Sequence, residues 1–223
     1  SRVPDADAFR AQALADPQQF WADEASELEW FQPWTQVLDD SEAPFFKWFV
    51  GGRTNIVHNC LGRHVKGPNK NKLALIWMSE DGNDHRTFSY FSLNRQVTMM
   101  ANVIRSMGVG KGDKVTIYLP RIPEVVFAML ACAKIGAVHS VVFAGFSSDA
   151  LTSRIDDSES KLVITSDGSW VNGSVFPLKD IVDEAVRFSP TVENVIVVKR
   201  TGNDVAMDAL RDHWYHDLTA LPI

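Results

Sequence analysis

The chain has 223 residues, of which 45% are hydrophobic and 22% charged, a composition typical of a globular protein with a sizeable core. Its formal net charge of −6 argues against a general nucleic-acid-binding protein, which usually carries an excess of basic residues. No apolar run approaches the ~18 residues of a membrane span, and the first residues contain no secretory signal, so we expect a cytoplasmic protein that binds neither membranes nor nucleic acids.

The N-terminal segment is rich in aromatic side chains, which would be costly to leave in water. Asp16 followed by Pro17 is typical of a helix start and predicts a helix over residues 17–28. Pro33 and Pro44 favour an irregular, wrapping path after that helix. We therefore expect this segment to form a mainly helical or irregular cover that packs on a larger body.

A β-hairpin and an amphipathic helix are predicted next. The segments LALIWMSE, residues 73–80, and HRTFSY, residues 85–90, have the composition of strands, and residues 81–84 that of a turn. Apolar residues then recur every three or four positions across residues 93–107, which predicts a helix with one buried face. Gly108 is a natural C-terminal stop for that helix.

Strands and helices alternate through the rest of the chain. Strands are predicted at 114–120, 138–143, 161–166 and 194–200, and helices at 123–135, 148–158 and 178–186. Such alternation favours a mostly parallel sheet with right-handed crossovers. The predicted fold class is therefore three-layer α/β, with a mostly parallel sheet flanked by helices, preceded by the aromatic cover and the β-hairpin. The helix at 123–135 is apolar nearly all round, so we expect it to be deeply buried.

One strand end carries the most informative pattern. In the stretch VHSVVFAGFSSDAL, residues 138–151, a β-branched run breaks at Phe143, Ala144, Gly145 and Phe146. Ligands of open parallel sheets lie outside the carboxyl ends of the strands, and the two small residues would let a flat ligand approach the backbone. One of the two following serines can cap the next helix, whose first amides favour an anion. The alternative is an ordinary turn whose two phenylalanines pack into the core.

Other candidate sites are weaker. The glycine-rich stretch at residues 108–115 lacks G-x-x-x-x-G-K-[ST] and precedes a strand, so it predicts a helix stop and a turn. No G-x-S-x-G motif marks a nucleophile, and no G-x-G-x-x-G follows a strand, which argues against an NAD-binding domain. The two cysteines form no C-x-x-C motif. Two histidine groups lack a recognised metal-ligand spacing, and we expect no metal site there: His58, Cys60 and His64, and His213 and His216.

Several long stretches identify a known family. These are FQPWTQVLDD, FKWFVGGRTNIVHNCLGRHV, GVGKGDKVTIYLPRIPEVVFAMLACAKIGAVHSVVFAGFSSDAL and RDHWYHDL. Together they resemble the N-terminal part of the AMP-forming acetyl-CoA synthetases, a group within the acyl-adenylate-forming family. The resemblance covers nearly the whole chain. It implies an N-terminal cover segment at residues 1–70 and the first part of an AMP-binding domain at residues 71–223.

The resemblance implies a two-step reaction that uses acetate, ATP with Mg²⁺, and coenzyme A (CoA). Acetate would form acetyl-adenylate and pyrophosphate, and the CoA thiol would then displace AMP. The family's phosphate loop, a string like T-S-G-S-T-G-K-P-K-G, is absent from this sequence. We therefore expect an N-terminal fragment, truncated before that loop, that has no catalytic residues, binds no cofactor tightly and is inactive without the rest of the chain. Propionate or another short-chain acid, or a non-catalytic binding module, are the alternatives.

The resemblance also assigns a role to the strand end described above. In the family, the turn that matches Phe143, Ala144 and Gly145 lies against the adenine of CoA. The family usually places two arginines near the 3′-phosphate of CoA, where this sequence has Val171 and Ser174. Their loss would weaken CoA binding unless another cation replaces them. The candidate replacements are Lys179, Arg154 or a residue from the rest of the chain.

Overall fold

The computed structural model describes residues 5–220, and the chain divides into two compact units, one ending at Cys60 and the other beginning at Leu61. The first unit contains helices α1 (Ala6–Ala15) and α2 (Pro17–Ser26) and strands β1 (Gln36–Asp39) and β2 (Lys47–Val50). None of the helices within residues 5–220 is long and apolar enough to cross a membrane.

The first unit confirms the predicted helix start and corrects the irregular path that should follow. The Asp16 carboxylate accepts a hydrogen bond from the Gln19 amide at 3.0 Å, so α2 is capped as its sequence predicts. Strands β1 and β2 pair antiparallel, however, in place of an irregular segment. The prediction was wrong because Pro33 precedes β1 and Pro44 lies between the strands, so neither proline removes a hydrogen bond from the ladder.

The second unit contains the regular α/β body. A π-helical turn (His58–Gly62) leads into the following elements, given in chain order: α3 (Arg63–Val65), β3 (Leu73–Met78), β4 (His85–Ser89), α4 (Tyr90–Ser106), β5 (Lys114–Ile117), α5 (Pro123–Ile135), β6 (Val138–Val141), α6 (Ser148–Ser158), β7 (Leu162–Ser166), β8 (Ser169–Val171), β9 (Ser174–Phe176), α7 (Leu178–Val186), β10 (Asn194–Val198), β11 (Asp212–Trp214) and α8 (Tyr215–Ala220). The predicted hairpin is confirmed as the antiparallel pair β3–β4.

The main sheet is parallel throughout and has the strand order β11-β10-β7-β5-β6. Val163, Val195 and Val197 belong to a core cluster with apolar residues of α6 and α7. The alternate residues Ile164 and Ile196 are equally buried and point to the other face, where α5 packs against β5 and β6 and α4 packs against α5. Helices therefore cover both faces of the sheet, which confirms the predicted fold class.

Helix α5 is less buried than its apolar sequence predicts. Phe127, Ala128 and Cys132 are fully buried on its inner side, and burial raises the pKa of the Cys132 thiol to about 12. Val125 and Val126 on the outer side are only half-buried. Because both sides of the helix are apolar, the hydrophobic pattern alone could not distinguish the covered side from the open one.

A buried carboxylate fixes the strand ends at the carboxyl edge of the sheet. Asp167 follows β7 directly and is fully buried. Its two oxygens accept hydrogen bonds from the backbone amides of Gly168, Arg200, Thr201 and Gly202, at distances from 2.7 to 3.2 Å. A buried carboxylate is tolerated only when such donors satisfy it, so Asp167 ties the chain after β10 to the end of β7.

A second buried charge group anchors β11. The Nζ of Lys179, which is fully buried, lies 2.7 Å from Asp183 and 2.7 Å from Asp212, and donates to the Ala206 carbonyl at 2.9 Å. Arg211 also pairs with Asp183 and Asp212. Burial on its own would raise the pKa of Asp212, but the hydrogen bonds from Arg211 and Lys179 outweigh burial and hold that pKa below its ordinary value.

The lowered pKa of Asp212 predicts an acid-dependent contribution to stability. The contribution is present above the ordinary carboxyl pKa of about 4 and is lost as the pH falls through the lower folded-state pKa. We expect Asp212→Asn to lower the free energy of unfolding by about 3 kcal/mol at neutral pH, with a difference from the unaltered chain that shrinks below about pH 4. Urea denaturation across this pH range measures the difference. Exposed Asp157→Asn should change stability by less than ~0.5 kcal/mol, and a pH-independent Asp212→Asn effect would contradict the assignment.

Removal of the Asp167 carboxylate should loosen the chain after β10. Asp167→Ala leaves four backbone amides without their acceptor, so we expect the free energy of unfolding to fall by about 3 kcal/mol or more and amide exchange at residues 200–202 to accelerate. Asp81→Ala is the matched control, because that carboxylate serves an exposed turn. Unchanged exchange at residues 200–202 in Asp167→Ala would show that the carboxylate does not hold this segment.

Candidate functional site

A cavity of about 670 Å³ lies at the carboxyl ends of the parallel strands. Four segments contribute to its wall: the chain after β5, the turn after β6, the β8–β9 hairpin and the end of β3, joined by Arg200 after β10. The lining residues are Trp77, Met78, Glu80, Leu119, Pro120, Arg121, Ile122, Phe143, Ala144, Gly145, Ser169, Trp170, Val171, Phe176 and Arg200. This is the position where open parallel sheets hold their ligands.

The structure brings the three predicted site residues together in the wall of this cavity. The Phe146 amide donates to the Phe143 carbonyl at 3.1 Å, which closes a β-turn over Ala144 and Gly145. The Phe143 side chain is 63% exposed, and Ala144 packs against the core cluster beneath it. The turn is therefore open to a ligand and is not covered by packed side chains.

Gly145 lies in close contact with a neighbouring ring. A Cβ atom at this position would lie 2.5 Å from Cε1 of Phe143, well inside van der Waals contact. Any larger residue would displace the Phe143 ring and change the shape of the cavity wall. The small residue thus serves the aromatic ring as well as any ligand that enters.

The alternative in which both phenylalanines pack into the core is wrong. Phe143 and Phe146 contact each other edge to face, with ring centroids 5.9 Å apart, and Phe146 is itself 38% exposed. The Arg154 guanidinium lies 4.6 Å from the Phe146 ring centroid. Tyr118, whose pKa is raised by burial, donates from its hydroxyl to the Phe146 carbonyl at 2.7 Å and fixes the turn from below.

The helix after the turn begins as predicted but offers little to an anion. Ser147 is the N-cap of α6, and its Oγ accepts a hydrogen bond from the Ala150 amide at 3.4 Å. Asp149 stands in the first turn of the helix, where its own carboxylate interacts favourably with the helix dipole. We therefore assign no ligand to this helix end.

The β8–β9 hairpin carries the two positions where the family resemblance placed arginines. Asn172 and Gly173 both have positive φ, 51° and 77°, as a tight hairpin turn requires. Val171 and Ser174 face each other across this turn and supply no charge. The Asn172 amide donates to Glu80 Oε1 at 3.2 Å, so the hairpin tip is tied to the chain just after β3.

Neither replacement proposed within this chain contributes a free cation to the cavity. Lys179 is committed to its buried carboxylates, and Arg154 lies over Phe146. The cations that do line the cavity, Arg121 and Arg200, were missed by the sequence analysis. Each follows the carboxyl end of a parallel strand within four residues, and that position was the signal that could have identified them.

His213 and the glycine-rich stretch have structural explanations. His213 lies 3.0 Å from the Asn194 amide oxygen, and no cluster of three or more potential metal ligands occurs within residues 5–220. At residues 108–115, Gly108 has a φ of +77° and follows α4, and the Gly110 amide donates to Asp113 at 2.7 Å. This glycine-rich stretch is a helix stop and turn, as predicted.

Comparison with known proteins identifies the families that this chain resembles. Residues 62–217 match the family described as AMP-binding enzyme, and residues 6–60 match the family described as acetyl-coenzyme A synthetase N-terminus. The acetyl-coenzyme A synthetase of Chlorobaculum tepidum is 50% identical over 213 residues, which cover 96% of this chain and 32% of that protein. The enzyme of the same name from Methanothrix thermoacetophila is 52% identical over 200 residues, 89% of this chain and 30% of that protein.

A solved structure agrees with the sequence relatives. The acetoacetyl-CoA synthetase from Streptomyces lividans superposes with a TM-score of 0.85 at 27% identity, covering 95% of this chain and 32% of that chain. The present chain thus spans about a third of the length of the relatives it matches. Because the AMP-binding match covers well over half of its residues, the chain belongs to the AMP-binding enzyme family.

Proposed function

We propose that this chain is the N-terminal part of an AMP-forming acetate–CoA ligase. In the first step a carboxylate oxygen of acetate attacks the α-phosphorus of ATP, and pyrophosphate leaves. In the second step the CoA thiol attacks the acetyl carbon, AMP leaves and the thiol proton is released. The names of the relatives and their ~50% identity support acetate as the acid. Mg²⁺ would accompany ATP, and we assign it no ligands among the described residues.

Within this reaction, the chain's own contribution is one wall of the CoA site. The observation that carries this proposal is the open position of Phe143, Ala144 and Gly145 in the cavity at the carboxyl edge of the sheet. An exposed aromatic ring beside two small residues suits the flat face of adenine. Stacking of a base on an aromatic ring is worth ~1–3 kcal/mol.

Binding at this wall is remote from the bonds that change. Adenine lies at the far end of CoA from the thiol, so its contacts add affinity and orientation without taking part in the chemistry. The turn is suited to this role because Tyr118 fixes it to the strand layer and Ala144 seats it on the core. These two contacts hold the backbone of the turn in place.

A bulkier residue at the turn should weaken CoA binding. In Gly145→Val the side chain displaces the Phe143 ring and fills part of the cavity, so we expect CoA to bind at least about tenfold more weakly, a cost of ~1.4 kcal/mol. Titration calorimetry with CoA measures the change, and thermal denaturation tests folding. Gly110→Val is the control, since the nearest atom to a Cβ there is 3.8 Å away. Equal CoA affinity for Gly145→Val and the unaltered chain would refute the adenine wall.

The chain on its own should not activate acetate. No string like the family's phosphate loop occurs among its 223 residues, so the loop that would stabilise charge on the transferring phosphoryl group is missing from this sequence. We expect acetate-dependent ATP–pyrophosphate exchange at the blank rate, with the Chlorobaculum tepidum acetyl-coenzyme A synthetase as the positive control. Exchange above the blank would mean that catalytic residues lie within this chain.

A further inference from the structure

Two guanidinium groups line the cavity without a carboxylate partner. Arg121 follows β5, and Arg200 follows β10. Neither forms an ion pair with an Asp or Glu within the part of the chain that the structure describes. Arg86 and Arg211, by contrast, are paired with Glu124 and with aspartates at distances of 2.6–2.8 Å. The cavity therefore holds positive charge that the fold itself does not neutralise.

Arg200 is held in place from both ends. Its backbone amide donates to the buried Asp167 carboxylate at 2.7 Å, and its guanidinium lies 5.1 Å from the ring centroid of Trp77. The Trp77 indole in turn donates to the Arg121 carbonyl at 2.7 Å. One indole thus supports the guanidinium of Arg200 and the backbone of Arg121. A cation fixed in this way loses less conformational freedom when it binds an anion.

The charge balance of the cavity favours an anionic ligand. Glu80 is the only acidic residue among the described lining residues, against the two arginines. It is exposed, and one of its carboxylate oxygens already accepts a hydrogen bond from the Asn172 amide. The cavity volume of about 670 Å³ lies within the range of pockets that bind small molecules and cofactors. One wall is thus aromatic and apolar, and another part of the lining carries a net positive charge.

We propose that Arg200, supported by Arg121, binds a phosphate group at the nucleotide end of CoA. This inference rests on the proposed function, since it takes the ligand whose adenine lies at residues 143–145 and assigns the partner of its phosphate. The planar guanidinium of Arg200 can donate two parallel hydrogen bonds to phosphate oxygens while its face stays on the Trp77 indole. Arg121 adds a second positive charge at the same cavity.

The primary test compares CoA binding to the unaltered chain with binding to Arg200→Gln. A charge-assisted contact of ~1.5–3 kcal/mol corresponds to a loss of about 10- to 150-fold in affinity. Arg200→Lys keeps the charge but not the two-pronged geometry and should lose less. Arg95→Gln, on the exposed surface of α4 outside the cavity, should bind CoA as the unaltered chain does. Thermal denaturation of each variant accounts for any loss of fold.

Three probes separate a phosphate contact from a structural role of Arg200. Dephospho-CoA lacks the 3′-phosphate but keeps the diphosphate, and adenosine lacks every phosphate. A loss confined to CoA assigns Arg200 to the 3′-phosphate, and a loss for both CoA and dephospho-CoA assigns it to the diphosphate. Either result supports the proposal, provided that adenosine binding, followed by nuclear magnetic resonance, is unchanged. An unchanged CoA affinity, or an equal loss for adenosine, overturns it.

The Gly145→Val variant distinguishes this proposal from the proposed function. If Gly145→Val weakens adenosine and CoA while Arg200→Gln weakens neither, the adenine wall stands and the phosphate assignment falls. If Arg200→Gln weakens CoA while Gly145→Val does not, the phosphate contact stands and the adenine wall falls. If the unaltered chain binds neither CoA nor adenosine, both assignments fall.

Discussion

The hydrogen bonds of one buried carboxylate determine where the cavity can form. Asp167 directly follows the central strand β7. Its carboxylate oxygens accept hydrogen bonds from the amide of Gly168 and from the amides of the segment after β10. An uncompensated charge at this depth would cost several kcal/mol, so the amides of residues 200–202 must approach it when the protein folds. Arg200 then stands at the carboxyl edge of the sheet, beside Trp77, as a direct consequence of the way in which the carboxylate is satisfied.

Buried charged side chains fix the path of the chain between β10 and β11 at both of its ends. This segment, residues 199–211, contains no helix or strand, and loops of such length are uncommon in compact domains. Asp167 fixes its start, and Lys179 fixes its end through the Ala206 carbonyl and Asp212. Packing of apolar side chains could hold such a segment only loosely, whereas directional hydrogen bonds to buried charges define its path. Buried charges thus fix both ends of a loop that contains no secondary structure.

Local signals in the sequence were sufficient for most of the fold and for one wall of the site. Helix periods, strand runs and their alternation predicted the parallel sheet, and the end of the 138–143 strand predicted the turn that lines the cavity. The pairing of β1 with β2 escaped prediction because two prolines suggested irregularity, although both lie outside the strands. The two arginines that line the cavity, Arg121 and Arg200, were not predicted for a different reason. Asp167, which lies 33 residues earlier in the chain, places Arg200 at the cavity, whereas Asp212 holds the expected cation Lys179 in a buried ion pair away from it. The charge of a single residue does not reveal such distant partners.

The proposed binding of phosphate by Arg200, and not by the β8–β9 hairpin, has a physical rationale. Val171 and Ser174 flank a two-residue turn at the exposed tip of β8–β9, and long side chains there would lose much rotamer freedom when they bind a ligand. Arg200 has already lost that freedom, because Asp167 fixes its backbone and Trp77 supports its guanidinium. A contact from such a position costs less entropy to form and is more precise in direction. In the proposed assignment, a residue at the carboxyl edge of the sheet therefore binds the phosphate, and the β8–β9 hairpin contributes only to the wall of the cavity.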